Sequence, residues 1–300
     1  MKRLPTMKQL QYLVALADTQ HFGRAAQRCH ITQSTLSAGV RDLEAALGTA
    51  VAERSNRHVL ITQVGAQIAE RARALLRDAE EIMQVARTGR SPMTGELRLG
   101  VIPTIGPFLL PRVLPALRER FPQMTMYLRE EQTASLLARL QNGELDVALI
   151  ALPYDTGDLA LDVIGEDEFL FACHRTHPLA GADAVSRDAL EGEQLMLLEE
   201  GHCLRGHALD VCGLGDTKAR AQFEASSLHT LVQMGAAGIG VTLVPRLAVG
   251  ADITQGTEIS LSRFAAPASR QIALAWRRTS FRAEEFRLLV STLRELTDMG

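Results

Sequence analysis

One short stretch divides the chain by the period of its apolar residues. Up to about Thr88 they recur at helical spacing. After Ser91-Pro92-Met93-Thr94-Gly95, a hinge by composition, they come as strand-like blocks alternating with helical segments. A switch of that kind predicts separate bodies: an all-α part, then an α/β part. The 300 residues fit two or three domains.

Within the first part, Leu10, Leu13, Val14 and Ala17 predict one helix, and Phe22–Cys29 a second with Ala25, Ala26 and Cys29 on one side. His30-Ile31 is a brief turn, and Thr32 suits the N-cap of a third helix striped by Leu36, Val40, Leu43 and Leu47. Two helices across such a turn form a helix-turn-helix pattern. Glu53–Ile61 follows as a turn and short strand, read as a wing. Thr62 then caps a long helix to about Thr88. Its seam of Ile68, Ala72, Leu75, Ala79, Ile82 and Ala86 is a heptad pattern that one chain cannot bury, which predicts a dimerisation helix.

Beyond the hinge, strands are expected at Glu96–Ile102, Thr125–Arg129, Asp146–Ala151, Phe169–Cys173, Gln194–Leu198, Gln222–Ala225 and Val241–Val244. Helices are expected at Pro107–Phe121, Thr133–Asn142, Leu228–Ala237 and Ala283–Leu296. The alternation predicts a mostly parallel sheet, and the length allows two subdomains with a cleft between them.

Charge separates the parts again. Residues 1–65 hold eight Lys/Arg and four Asp/Glu, net +4, so the rest carries −7 of the overall −3. A basic module on an acidic body is a footprint for a polyanion. A hydrophobic share of 46% with 22% charged residues excludes wholesale disorder. No apolar run approaches the ~18–20 residues of a membrane span, and Met1–Thr6 turns polar with no signal-peptide core. Four cysteines are too few for a disulfide framework. The expectation is a cytoplasmic protein without membrane contact.

His21-Phe22-Gly23-Arg24-Ala25-Ala26, Thr32–Ser37, Leu43-Glu44, Leu47-Gly48, Glu53-Arg54 and Leu60–Gly65 resemble the winged helix-turn-helix of the LysR-type transcriptional regulators. Leu99–Thr104, Gly143–Asp146 and Gly238-Ile239-Gly240-Val241 continue the likeness through the body. Glu199–Cys212, with Gly-His-Cys-Leu-Arg and a second Cys nine positions after the first, resembles the redox segment of the peroxide-sensing members of that family. Two positions depart from the pattern. Ala52 stands where a bulky aromatic is usual, and Gly39 sits mid-helix at a cost of ~1 kcal/mol against Ala.

The resemblance implies an α/β protein in four parts. Residues 1–65 would be a winged helix-turn-helix domain, 62–90 a linker and dimerisation helix, and 91–95 a hinge. Residues 96–300 would be an effector domain of periplasmic-binding-protein type, with subdomain I about 96–164 and 270–300 and subdomain II about 165–269. It implies double-stranded promoter DNA and RNA polymerase as partners, hydrogen peroxide as the signal, a homodimer or homotetramer, and glutaredoxin or thioredoxin as reductant. No cofactor, metal or enzymatic turnover is implied.

Base reading is expected from Gln33, Ser34, Thr35 and Ser37, whose amide and hydroxyl groups match base edges and phosphates. Phosphate or minor-groove contacts are expected from Arg54 and Arg57. Cys203 and Cys212 admit three readings. Buried free thiols are the commonest. A zinc site with His202 and His207 has an unfamiliar spacing. The third is a redox pair, in which His202 and Arg205 acidify Cys203, peroxide oxidises it to a sulfenic acid, and Cys212 resolves it. The resemblance gives the same roles. It also implies that Thr104, Thr133, His202 and Arg205 shape a peroxide pocket, with weaker support from Asp146 and Arg270. Cys29 and Cys173 read as core, and His174 and His177 lack a third ligand. A regulator responding to a small organic ligand, and a thiol peroxidase, are the rival functions.

Overall fold

The computed structural model describes residues 4–54, 59–88, 92–213, 223–249 and 253–297. The chain forms two compact units, 1–90 and 91–300. Arg57 lies outside the described residues, as do Ser91 of the hinge, Gln222 of one expected strand, and the side chains of Arg54 and Ala86.

In the first unit, α1 (Met7–Thr19), α2 (Phe22–Arg28) and α3 (Gln33–Leu47) pack around Leu13, Leu16, Leu36, Val40 and Leu43, all fully buried. Side chains set where the helices start. Thr6 and Gln9 form a reciprocal capping box on α1, the His21 ring accepts the Gly23 and Arg24 N–H groups, and Thr32 accepts from Thr35 N–H. Gly39 has a reason to be glycine: a Cβ there would lie 2.5 Å from the Tyr12 ring of α1. The helices approach too closely for a methyl group. The wing is a hairpin of β1 (Ala52–Arg54) and β2 (Val59–Ile61).

The helix α4 (Gln63–Thr88) packs Ala69 and Ala72 into the same core, and Asp18 of α1 pairs with both Arg28 and Arg73. The outer half of its seam is uncovered, with Leu75 46% and Ile82 71% exposed. That is the pattern of an unpartnered coiled-coil face. Among the described residues no helix is long and apolar enough to cross a membrane.

The second unit starts with β3 (Gly95–Val101), α5 (Gly106–Arg120), β4 (Met124–Glu130), α6 (Thr133–Gln141) and β5 (Val147–Leu152), each within one or two residues of expectation. β6 (Leu159–His174) and the short β7 (Ala184–Val185) and β8 (Leu197–Leu198) follow. Next come α7 (Cys203–Cys212), β9 (Glu224–Ala225), α8 (Leu228–Ala236), β10 (Thr242–Pro245) and α9 (Arg246–Val249). β11 (Ile259–Phe264), β12 (Ser269–Arg277) and α10 (Ala283–Thr297) complete it.

The main sheet is mixed rather than mostly parallel. Its order is β4-β3-β5-β12-β6-β11-β7, with β10 also on β6. Within it β3, β4 and β5 form a parallel block, with β12 antiparallel to both β5 and β6. The cause is β6, a 16-residue strand that serves both halves of the unit. Leu159–Glu168 pairs with β12, and Phe169–His174 pairs with β10 and β11. β8 and β9 form a separate parallel pair.

Candidate functional site

In the first unit the polar start of α3 faces out. Gln33, Ser34 and Thr35 are exposed and Ser37 is half-buried, while Leu36 and Val40 turn into the core. The Thr32 hydroxyl bonds the hydroxyls of Ser34 (2.9 Å) and Thr35 (2.8 Å), so the cap also orders this edge. It has the form of a recognition-helix N-terminus.

The second site is built on Arg270, at the start of β12. In the strand register Arg270 stands opposite Asp167 of β6. Its guanidinium donates to Asp167 Oδ2 from Nε at 3.0 Å, to Thr104 Oγ1 from Nη1 at 2.8 Å, and to the Thr104 carbonyl from Nη2 at 2.8 Å. Asp167 Oδ1 accepts the Leu247 N–H at 2.9 Å. Both charged side chains are buried, which is tolerable because each is paired and hydrogen-bonded. Thr104 lies just past Val101, the last residue of β3, and so anchors the cation at the carboxyl end of that strand.

Cys203 opens α7 and faces this anchor. Burial pushes its thiol up, opposed by the Arg270 charge, by the Thr133 hydroxyl and by the backbone N–H groups of Leu204 and Cys203. The helix N-terminus and one buried guanidinium thus favour the thiolate, while desolvation favours the thiol. Thr133 Oγ1 is buried and turned to the sulfur, with no nitrogen or oxygen partner among the described residues.

The cation beside the sulfur differs from expectation. Arg205 is two residues along the helix and points elsewhere, to Glu224 (2.7 Å) and the Leu198 carbonyl (3.0 Å). His202 is the N-cap of α7, and burial lowers its pKa against the pull of Glu199, so it is neutral near pH 7. Asp146 is placed away from the cysteine. It accepts the Arg98 N–H at 2.8 Å where β5 begins, whereas Thr104 lies beyond the opposite end of the parallel β3. Asp167 is the carboxylate that supports Arg270. Nothing local in the sequence marks it, because β12, the strand that brings the pair together, is not among the expected strands.

Cys212 ends the same helix, and burial raises its pKa to about 11. Nine residues of α-helix separate the two Cα atoms by about 13 Å, against the roughly 4.4–6.8 Å of a disulfide. Both cysteines are free thiols here. The same separation prevents them from sharing one zinc ion. Among the described residues no cluster of three metal-ligating side chains occurs. A cleft of about 580 Å³ runs along α7, lined by Pro153, Tyr154, His202, Cys203 and His207 among others.

A winged helix-turn-helix unit and an α/β unit with a polar site at its strand ends define a bacterial DNA-binding regulator. The lysR-family regulatory helix-turn-helix matches residues 7–66 and the LysR substrate-binding domain matches residues 90–298, so the chain belongs to the LysR family. It is 39% identical over 298 residues to the HTH-type transcriptional regulator EstR of Acinetobacter baylyi, covering 99% of both chains. It is 39% identical over 289 residues to the hydrogen peroxide-inducible genes activator of Pectobacterium carotovorum, covering 96% of both. The structure of a full-length OxyR from Pseudomonas aeruginosa, in which one cysteine is replaced by aspartate, matches with a TM-score of 0.81 at 35% identity, covering 98% of this chain and 96% of that one.

Proposed function

We propose that this regulator senses hydrogen peroxide through a reversible Cys203–Cys212 disulfide that changes how it binds DNA and so activates oxidative-stress genes. The observation that carries the reading is the placement of Cys203 at a helix N-terminus, where the charge of buried Arg270 and the Thr133 hydroxyl both favour its thiolate. The Cys203 thiolate attacks one peroxide oxygen and the O–O bond breaks, giving a sulfenic acid and, after proton transfer, water. The Cys212 thiol then displaces the sulfenic oxygen as a second water and forms the S–S bond. Because α7 holds the sulfurs apart, the bond requires the helix to unwind. Arg270 and Thr133 orient the peroxide, Thr104 positions Arg270, and neutral His202 stands at the pocket edge.

Promoter DNA is read through Gln33, Ser34, Thr35 and Ser37, with Arg54 and Arg57 on the wing. The exposed face of α4 joins two copies, and further pairing gives a tetramer that contacts RNA polymerase in the cytoplasm. Glutaredoxin or thioredoxin restores the thiols. The equal identity to EstR, a transcriptional regulator whose name states no peroxide response, leaves a small-ligand regulator as the second reading.

Mass spectrometry after one equivalent of peroxide should show loss of two hydrogens and a 203–212 linkage. Cys203→Ser and Cys212→Ser should both keep the reduced DNase footprint, and only Cys212→Ser should trap a sulfenic acid. Peroxide shifting the footprint of Cys203→Ser as in the unaltered protein would overturn this function. Catalytic peroxide turnover with a reductant would favour a thiol peroxidase.

A further inference from the structure

We propose that His207 is the positioning residue that holds α7 in its docked form, and that its imidazole makes release of the helix proton-linked. This rests on the reading that oxidation joins Cys203 to Cys212.

His207 lies four residues after Cys203, on the same face of α7 and one turn along. It is only 6% exposed. Nε2 lies 3.2 Å from the carbonyl oxygen of Pro153, in the connection between β5 and β6. That oxygen can only accept, so Nε2 carries the proton and donates. Nδ1 is then a bare lone pair, buried without a partner among the described residues. The ring packs on Phe169 at 6.0 Å, and the Arg270 guanidinium overlies the same phenyl ring at 5.8 Å.

Apart from its buried face of Leu204, Ala208, Leu209 and Cys212, the helix is held by few polar contacts. It has ten residues, no side-chain N-cap bond, no acidic residue in its first turn, and Gly206 in its interior. A helix of that length is marginal without tertiary support. The Arg205 bonds hold one side to β8 and β9, and His207 holds the other to the β5–β6 connection.

An imidazolium does not suit this site. Its Nδ1–H would have no acceptor, and Arg270 of β12 faces it with like charge. Pro153 offers only its carbonyl, and Asp210 of the same helix supplies a weak opposing pull. Burial is the largest influence and pushes the His207 pKa below its ordinary value, with Arg270 adding to it and Pro153 and Asp210 opposing. Unwinding returns the ring to water, where it titrates near ~6.5. Below that pH the unwound form takes up a proton that the docked form refuses, so the docked helix loses stability as pH falls. Acid therefore favours the disulfide.

The test equilibrates the full-length protein with reduced and oxidised glutathione between pH 5.5 and 7.5, then alkylates and weighs it. Both couples exchange the same number of thiol protons, so the exchange constant is flat with pH unless another group is linked. It should move toward the disulfide from pH 7.5 to 5.5, by up to about tenfold, since an unwound imidazole titrating near ~6.5 is mostly protonated at the lower pH. His207→Gln keeps an N–H for Pro153 and cannot titrate, so the change should fall to less than half. His207→Leu loses the donor as well and should favour the disulfide at every pH. A flat constant in the unaltered protein, or an undiminished change in His207→Gln, overturns the inference. Absence of any 203–212 disulfide overturns the functional reading beneath it, and this inference with it.

Discussion

Leu209 offers a direct measure of what docking α7 contributes to the redox balance. It lies between the two cysteines, is 5% exposed, and packs into the core of the second unit. Leu209→Ala removes buried methyl groups at a cost of ~2–3 kcal/mol, the lower range for Leu→Ala because the residue borders the cleft. If the oxidised form has unwound the helix, that loss falls on the reduced state alone. At about 1.4 kcal/mol per 30 mV, the reduction potential should drop by roughly 45–65 mV, toward easier oxidation. Glutathione redox titration with mass-resolved thiols reads the potential, and thermal melts of both forms supply the control. Only the reduced form should melt earlier. An unchanged potential with equal melting losses in both forms would mean that Leu209 stays buried on oxidation, and the unwinding argument would fail.

Two further outcomes are expected. Thr104→Val leaves the Arg270 Nη1–H without its acceptor, which should cost ~1–3 kcal/mol and slow Cys203 oxidation, while Thr104→Ser should restore both; stopped-flow rates and melting curves matching the unaltered protein would remove Thr104 as the anchor. Gly39→Ala should destabilise the first unit by ~1–2 kcal/mol despite its better helix propensity, because the new methyl meets Tyr12, and in a Tyr12→Ala background it should stabilise instead; a stabilising effect in both backgrounds, measured by urea unfolding, would refute that account.

The helices of the first unit are legible in the sequence because their apolar stripes and caps are local signals. Thr32, Leu36, Val40 and Leu43 alone place α3. β3 to β5 are legible for the same reason. The first half of β6 is not, because Asp162, Glu166, Asp167 and Glu168 dilute its apolar alternation, and its pairing with β12 supplies the missing support. α7 is hidden by Gly206 and by a stability that is tertiary in origin. The candidate site follows the same divide. Proximity in sequence suggests Arg205 as the cation for Cys203, but a helix turns about 200° over two residues and carries it away. The guanidinium whose charge acts on the sulfur comes from a strand 67 positions later.

The shared strand β6 has a consequence for dissection. Its first ten residues complete the sheet of one half and its last six complete the other, so the halves own one backbone between them. Cutting residues 96–164 and 270–300 away from residues 165–269 would strip β12 of its partner at the Arg270 end and leave Thr104 beside an unpaired cation. The middle piece, 165–269, would keep Asp167 and lose the Arg270 that neutralises it. Neither piece would inherit a complete site, and the second unit is divisible on paper only.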